Sequence, residues 1–211
     1  MTALEASEAE IMGTVSAYLI VSGFMPLLWG PFSDRFGRKT AFVISAVIFT
    51  TFSLAAAFSW NVASLLAFRV LAAIGASSTL TVGAGAIADT HHPSVRGKAM
   101  GYFLLGPLLG PVIGPTIGGL LSERFGWRSI FYFLTAMGVI AIPCLIFFFP
   151  ETIPKVPPGT KRPFPKPWAA FKFLASPGIL AVTVMAALSY ACFYVAVITF
   201  PVVMADTFKM S

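Results

Sequence analysis

Charge is the scarcest feature of this chain. Fourteen basic and eight acidic residues in 211 make 10%, where soluble domains carry about 25%. An ordinary water-soluble globule is therefore excluded. The 57% of apolar residues exclude a disordered chain, which is poor in them. Cysteine is nearly absent. Cys144 and Cys192 both fall within apolar runs, so neither a disulfide framework nor metal-ligand spacing is indicated, and both read as packing residues. Basic residues are missing ahead of the first apolar run, where Glu5, Glu8 and Glu10 stand; that is no secretory signal peptide. Also missing are a nucleophile–base pair, a phosphate-cradling glycine loop and any metal cluster. The repeated rings of charge that a pore needs are absent too. An enzyme, a cofactor site and a channel are all disfavoured.

What is present is long apolar sequence. Mean hydropathy is +0.87, with 21 Phe, 18 Gly and 16 Pro, and Gly and Pro are commoner in membrane helices than in soluble ones. Six apolar runs lie near 11–32, 40–58, 62–87, 97–121, 127–149 and 178–203. At 1.5 Å per residue each is long enough to cross a hydrocarbon core of about 30 Å. None shows the short alternating pattern of barrel strands. The expected fold is an all-α membrane protein with six transmembrane helices.

The connectors give the sidedness. Asp34–Lys39, Ser59–Asn61, Asp89–Lys98, Glu123–Arg128 and a proline-rich stretch near 150–177 separate the runs. Pro at that density blocks continuous helix, although a short interfacial helix at Pro167–Ala175 is compatible with it. Connectors one, three and five hold Arg35, Arg38, Lys39, Arg96, Lys98, Lys155, Lys161, Arg162, Lys166 and Lys172. The opposite side holds Arg124, Arg128 and Lys209. The basic side is expected in the cytoplasm, which puts both ends of the chain outside; a helix preceding residue 11 would relieve that oddity for the N-terminal end. The +6 net charge sits in short clusters rather than one continuous face, so nucleic acid is not the expected partner.

Several of these clusters carry spaced motifs. Gly30-Pro31-Phe32-Ser33-Asp34-Arg35-Phe36-Gly37-Arg38-Lys39 joins two spans. Gly30 allows close helix approach, Asp34 can accept from backbone N–H groups or pair with an arginine, and Gly37 permits a tight reversal. Arg38 and Lys39 can pair with carboxylates or lipid phosphates. The segment resembles the loop between helices two and three of the major facilitator superfamily, G-x-x-x-D-R-x-G-R-K, with Phe32 where Leu is usual. Leu65, Arg69 and Gly75 are similar to that family's helix-four motif, whose Gln and Gly are replaced here by Ala72 and Ala73. An arginine inside an apolar run is a functional candidate by default. The alternative is that Arg69, some eight residues from Asn61, snorkels to water.

The fourth run reads Gly101, Gly110, Gly114-Pro115 and Gly118-Gly119. Gly101, Gly110, Gly114 and Gly118 are expected near one helix face, since steps of four roughly match the turn, and a smooth face lets a neighbour pack closely. Pro115, with Pro107 and Pro111, is expected to bend the helix. The spacing resembles the helix-five antiporter motif of proton-coupled drug exporters in the same superfamily. Gly83–Asp89, Trp127–Phe131 and Phe149–Thr152 resemble further family segments. His91-His92 has no third ligand nearby and reads as loop.

Residues 11–203 thus resemble helices two to seven of a twelve-helix transporter, most like fungal multidrug:proton antiporters. The resemblance implies a partial major-facilitator fold. Residues 1–150 would be an incomplete N-terminal bundle of five helices, 151–177 a cytoplasmic linker, and 178–211 the first helix of a C-terminal bundle. It implies export of small lipophilic or cationic compounds in exchange for protons, from a plasma membrane or else a vacuolar or other internal one. Asp34, Arg35, Gly37, Arg38, Lys39 and Arg69 would serve coupling or gating. Ser77, Thr81, Tyr102, Tyr190 and Tyr194 are cavity candidates, since aromatic faces attract organic cations; the alternative is that the tyrosines face lipid. No acidic residue lies mid-span, so a membrane-embedded proton carrier is expected elsewhere in a complete transporter. The competing expectation is a truncated product with no transport of its own.

Overall fold

The computed structural model describes residues 8–153 and 176–208. Among them every regular element is an α-helix: α1 (Glu8–Phe24), α2 (Pro26–Phe36), α3 (Arg38–Ala57), α4 (Val62–Ala76), α5 (Ser78–Thr90), α6 (Pro93–Phe125), α7 (Arg128–Phe148) and α8 (Pro177–Phe208). The chain divides into two units, Met1–Pro165 and Lys166–Ser211. Helices α1–α7 belong to the first and α8 to the second. Most of the expected linker, with its basic residues and the interfacial helix at Pro167–Ala175, lies outside the described residues, as does Lys209.

Four helical segments are long and apolar enough to cross a membrane: Arg38–Ala57, Val62–Thr90, Pro93–Phe125 and Arg128–Phe148. The α1–α2 pair makes a fifth if its 43° bend is counted within one span. The break is chemical. Pro26 opens α2 without an N–H to give back to α1. The described apolar part of α8, Pro177–Phe193, is shorter.

The connectors are tighter than the sequence suggests. Between α2 and α3 only Gly37 is non-helical, at φ 104°, a backbone conformation that side chains with a Cβ rarely adopt. Polar residues of connector three are instead the ends of α5 and α6, with His92 as N-cap and Pro93 in the first turn of α6. Asn61 and Ser64 form a reciprocal capping box at α4. Helix α6 runs through Pro107, Pro111 and Pro115 without interruption over 33 residues.

Packing is inverted relative to a soluble protein. Among the described residues the largest fully buried side chains are Val82, Ser33, Ser59 and Ser78, while Phe147 is 80% and Phe148 83% exposed. Small residues inside and large apolar ones outside are what a lipid surround selects. Helix α3 is central, packing on α4 and α7, with α1 against α4 and α2 against α5. At Gly75 a Cβ would lie 2.5 Å from both Phe49 N and Ser45 O, so α3 and α4 meet backbone to backbone. Ser78 Oγ donates to Ser45 Oγ at 2.6 Å.

Trp29 Nε1 donates to the Ile74 carbonyl at 2.7 Å, fastening α2 to the end of α4, where carbonyls lack helical donors. Trp29→Phe keeps the ring but loses the donor. It is expected to cost about 1 kcal/mol and to lower the midpoint of thermal unfolding of the protein in lipid nanodiscs by a few degrees.

Candidate functional site

The α2–α3 junction gathers charge. Arg38 opens α3 and is 9% exposed. A buried cation at a helix N-terminus opposes the macrodipole, so it needs anions close by. Arg38 Nη2 pairs with Asp34 Oδ1 at 2.7 Å, and Nε pairs with Asp89 Oδ2 at 3.0 Å. Nη1 donates to Ser33 Oγ at 2.5 Å, and Ser33 donates on to the Gly30 carbonyl at 2.8 Å. Asp34 in the last turn of α2 is likewise unfavourable alone, and Arg38 offsets it. Gly85 makes the space: a Cβ there would lie 2.6 Å from the guanidinium carbon.

Glu151, just beyond α7, completes the junction. The α3 N-cap is a glycine with no side chain to accept from the first-turn amides. The Glu151 carboxylate accepts from Arg38 N at 2.8 Å and Lys39 N at 3.2 Å. A Cβ at Gly37 would overlap that carboxylate. Lys39 Nζ donates to the Ile146 carbonyl at 2.6 Å, a cation at the C-terminal end of α7 where the dipole favours it. Connectors one and three and the start of five therefore meet at one end of the bundle. Contact at the other end runs between connector two and the start of α7, where Arg128 donates to the Ser59 carbonyl at 3.2 Å. Arg35 remains outside the cluster, stacked on Phe36 at 5.3 Å.

Arg69 occupies a second place. It lines a cavity of about 280 Å³ together with Tyr18, Phe49, Ser53, Ala72, Phe131 and others from α1, α3, α4 and α7. Its guanidinium lies 5.4 Å from the Phe131 ring centroid, a cation–π contact that lessens the cost of its burial.

The expected cavity residues lie elsewhere. Ser77 is buried where α4 gives way to α5 and donates to Ile74 O. Thr81 packs on Gly30 of α2, with its methyl 3.5 Å from where a Cβ would stand. Tyr102 is 66% exposed on α6. Tyr190 is on α8, in the second unit, beside Phe193. The side chain of Tyr194 lies outside the described residues. The lining residues Tyr18 and Ser53 carried no local signal beyond their polarity in apolar runs.

The glycine pattern of α6 also needs correction. Nine residues separate Gly101 from Gly110, which is half a rotation at about 100° per residue, so Gly101 does not share the face of Gly110, Gly114 and Gly118. Nor is that face occupied. A Cβ at Gly101, Gly110, Gly114, Gly118 or Gly119 would meet nothing within 4 Å among the described residues. The histidines serve locally: His91 is paired with Thr90 and His92 with Ser94.

Residues 1–211 match the profile described as the Major Facilitator Superfamily. Similar proteins include the MFS antiporter QDR3 of Candida albicans, 39% identical over 143 residues that are 68% of this chain and 20% of that protein. Citrate exporter 1 of Aspergillus niger is 38% identical over 140 residues, 66% of this chain and 27% of that protein. Multidrug transporter DTR1 of Candida glabrata is 41% identical over 149 residues, 70% of this chain and 28% of that protein. The chain thus spans 20–28% of the length of these three curated relatives. With its apolar helices, inverted packing and charged α2–α3 junction, the chain belongs to the Major Facilitator Superfamily and is a multi-pass membrane protein.

Proposed function

We propose that these helices work in a proton-driven exporter of small lipophilic or cationic compounds, in the plasma membrane. The observation that carries the proposal is Arg69, a cation within a membrane span that lines an apolar-walled cavity. Names of relatives such as a multidrug transporter and an antiporter support the same direction. The cavity supports the lipophilic part of the substrate class more than the cationic part, because Arg69 repels like charge.

In this reading the Asp34–Arg38–Asp89 cluster with Glu151 latches the cytoplasmic end, and its release accompanies opening. Arg69 sets the potential felt by an acidic proton carrier on a helix beyond this chain. Protonating that carrier, which senses Arg69 at a distance rather than pairing with it, ties helix movement to the proton gradient. The open face of Gly110, Gly114 and Gly118 is where a partner helix slides during the cycle. Alternating access then rocks one bundle against another around a midplane site.

The test uses the full-length transporter containing this chain, reconstituted in liposomes with an imposed pH gradient. Substrate accumulation is expected to collapse with nigericin and to become gradient-independent in Arg69→Gln. Gly114→Leu is expected to cut transport at least tenfold while leaving the midpoint of thermal unfolding within about 2 °C, because a Cβ at Gly114 stands in open space among the described residues. Accumulation that ignores the gradient in the wild type would refute the proposal.

A further inference from the structure

The chemistry inside the Arg69 cavity selects more narrowly than its size does. At about 280 Å³ the space is near the lower end for small-molecule pockets. Its walls are Phe49, Phe131, Leu134 and other apolar side chains, with Tyr18 and Ser53 as the polar exceptions besides Arg69. Acidic residues are absent from the lining.

Arg69 is half-buried and forms no ion pair or hydrogen bond among the described residues, the two ion pairs found there both belonging to Arg38. Its guanidinium lies over the Phe131 ring, and the Tyr18 phenol interacts with it electrostatically. A cation–π contact gives the guanidinium N–H donors no hydrogen-bond acceptor. Ala72, three residues on and also on the cavity wall, has no side-chain acceptor to receive them. A cation at membrane depth is costly unless a counter-charge comes to it. Among the described residues no wall supplies that counter-charge, and the cavity has room for one.

We propose that this cavity binds a small organic monoanion, a carboxylate with an apolar or aromatic body, and that Arg69 is the residue that holds the carboxylate. A planar carboxylate matches the guanidinium fork through paired charge-assisted hydrogen bonds. One negative charge balances the one positive charge of the lining, whereas a multivalent anion would leave charge uncompensated in an apolar space. The body packs against Phe49, Phe131 and Leu134. The proposal rests on the exporter reading for the cavity's use in transport, and it narrows the substrate to lipophilic acids.

The experiment measures binding of tritiated phenylbutyrate to the full-length transporter in phosphatidylcholine nanodiscs at neutral pH, with phenylbutylamine and phenylbutanol as competitors. The three share one apolar body and differ in charge. Phenylbutyrate is expected to bind at least about tenfold more tightly than the amine or the alcohol, the margin of a charge-assisted pair. Arg69→Gln is expected to erase that preference, and Arg69→Lys to keep part of it. Equal or tighter binding of the amine would overturn the proposal, as would a carboxylate preference that survives in Arg69→Gln. Displacement of phenylbutyrate by phosphatidylglycerol in the disc would also count against it, as the mark of a lipid-headgroup site. The comparison among the three compounds needs no variant, so it decides even where Arg69→Gln does not fold. The two readings fail separately: gradient-driven efflux of the alcohol without a carboxylate preference defeats only this inference, and carboxylate binding without gradient-driven transport defeats only the exporter.

Discussion

Arg38→Gln is expected to destabilise the bundle by about 3 kcal/mol and to lower transport by the full-length protein at least tenfold. The magnitude follows from which partners are buried. The Arg38 side chain is 11% exposed, Asp89 is 26% exposed and Asp34 is 48% exposed. The Asp34 contact resembles a surface pair, worth no more than about 1 kcal/mol. Most of the loss therefore comes from the interior: removing one side of a buried pair strands its partner, at a cost near 3–5 kcal/mol. Asp34→Asn should accordingly be mild, and Asp89→Asn should lie between the two. Arg38→Lys keeps the charge but cannot address Ser33, Asp34 and Asp89 together from one planar fork, so it should recover only part of the loss. Thermal unfolding in nanodiscs orders the four variants, and the order is the test. If Asp34→Asn costs as much as Arg38→Gln, the burial argument is wrong.

Gly75→Leu is expected to have the larger effect on folding, with little or no monodisperse protein recovered after solubilisation. Where a Cβ at Gly75 would press on Phe49 N and Ser45 O, both neighbours are backbone and cannot rotate aside. Overpacking against yielding side chains costs about 1–3 kcal/mol, and here nothing yields, so α3 and α4 must separate. Even Gly75→Ala should lower stability measurably, whereas Gly114→Ala should not, having open space around it. Size-exclusion profiles after a graded heat step distinguish these outcomes. Equal profiles for Gly75→Ala and Gly114→Ala would show that the α3–α4 contact is looser than described.

Much of this was legible in the sequence because it is local. Apolar runs fixed where helices lie, Gly37 announced a reversal, and Asp34 with Arg38 is an i, i+4 pair. Pro26 sits in the first run, and its missing N–H is the local signal of the bend between α1 and α2. What stayed hidden is long-range. Glu151 is 113 residues from Arg38, and nothing in either segment alone says that a carboxylate after α7 will cap α3. Asp89 lay within a recognised segment, but its partner did not follow from it. The lining of the Arg69 cavity is long-range in the same way. Polar or aromatic character marks Ser77, Thr81 and Tyr102 as it does Tyr18 and Ser53, but packing decides which side chains share a space, and Tyr18 and Ser53 are the ones beside Arg69. In α6 a nine-residue step puts Gly101 on the side opposite Gly110, which the spacing by fours among the other glycines conceals.

Exchange against protons is best read at the protons rather than at the substrate. Liposomes holding the full-length transporter and a pH-sensitive dye inside are given substrate on one side with no imposed gradient. Protons are expected to move opposite in direction to the substrate, with a rate that saturates in substrate and is lost in Arg69→Gln. Substrate crossing with no change in lumenal pH, or with protons moving in the same direction, would contradict it.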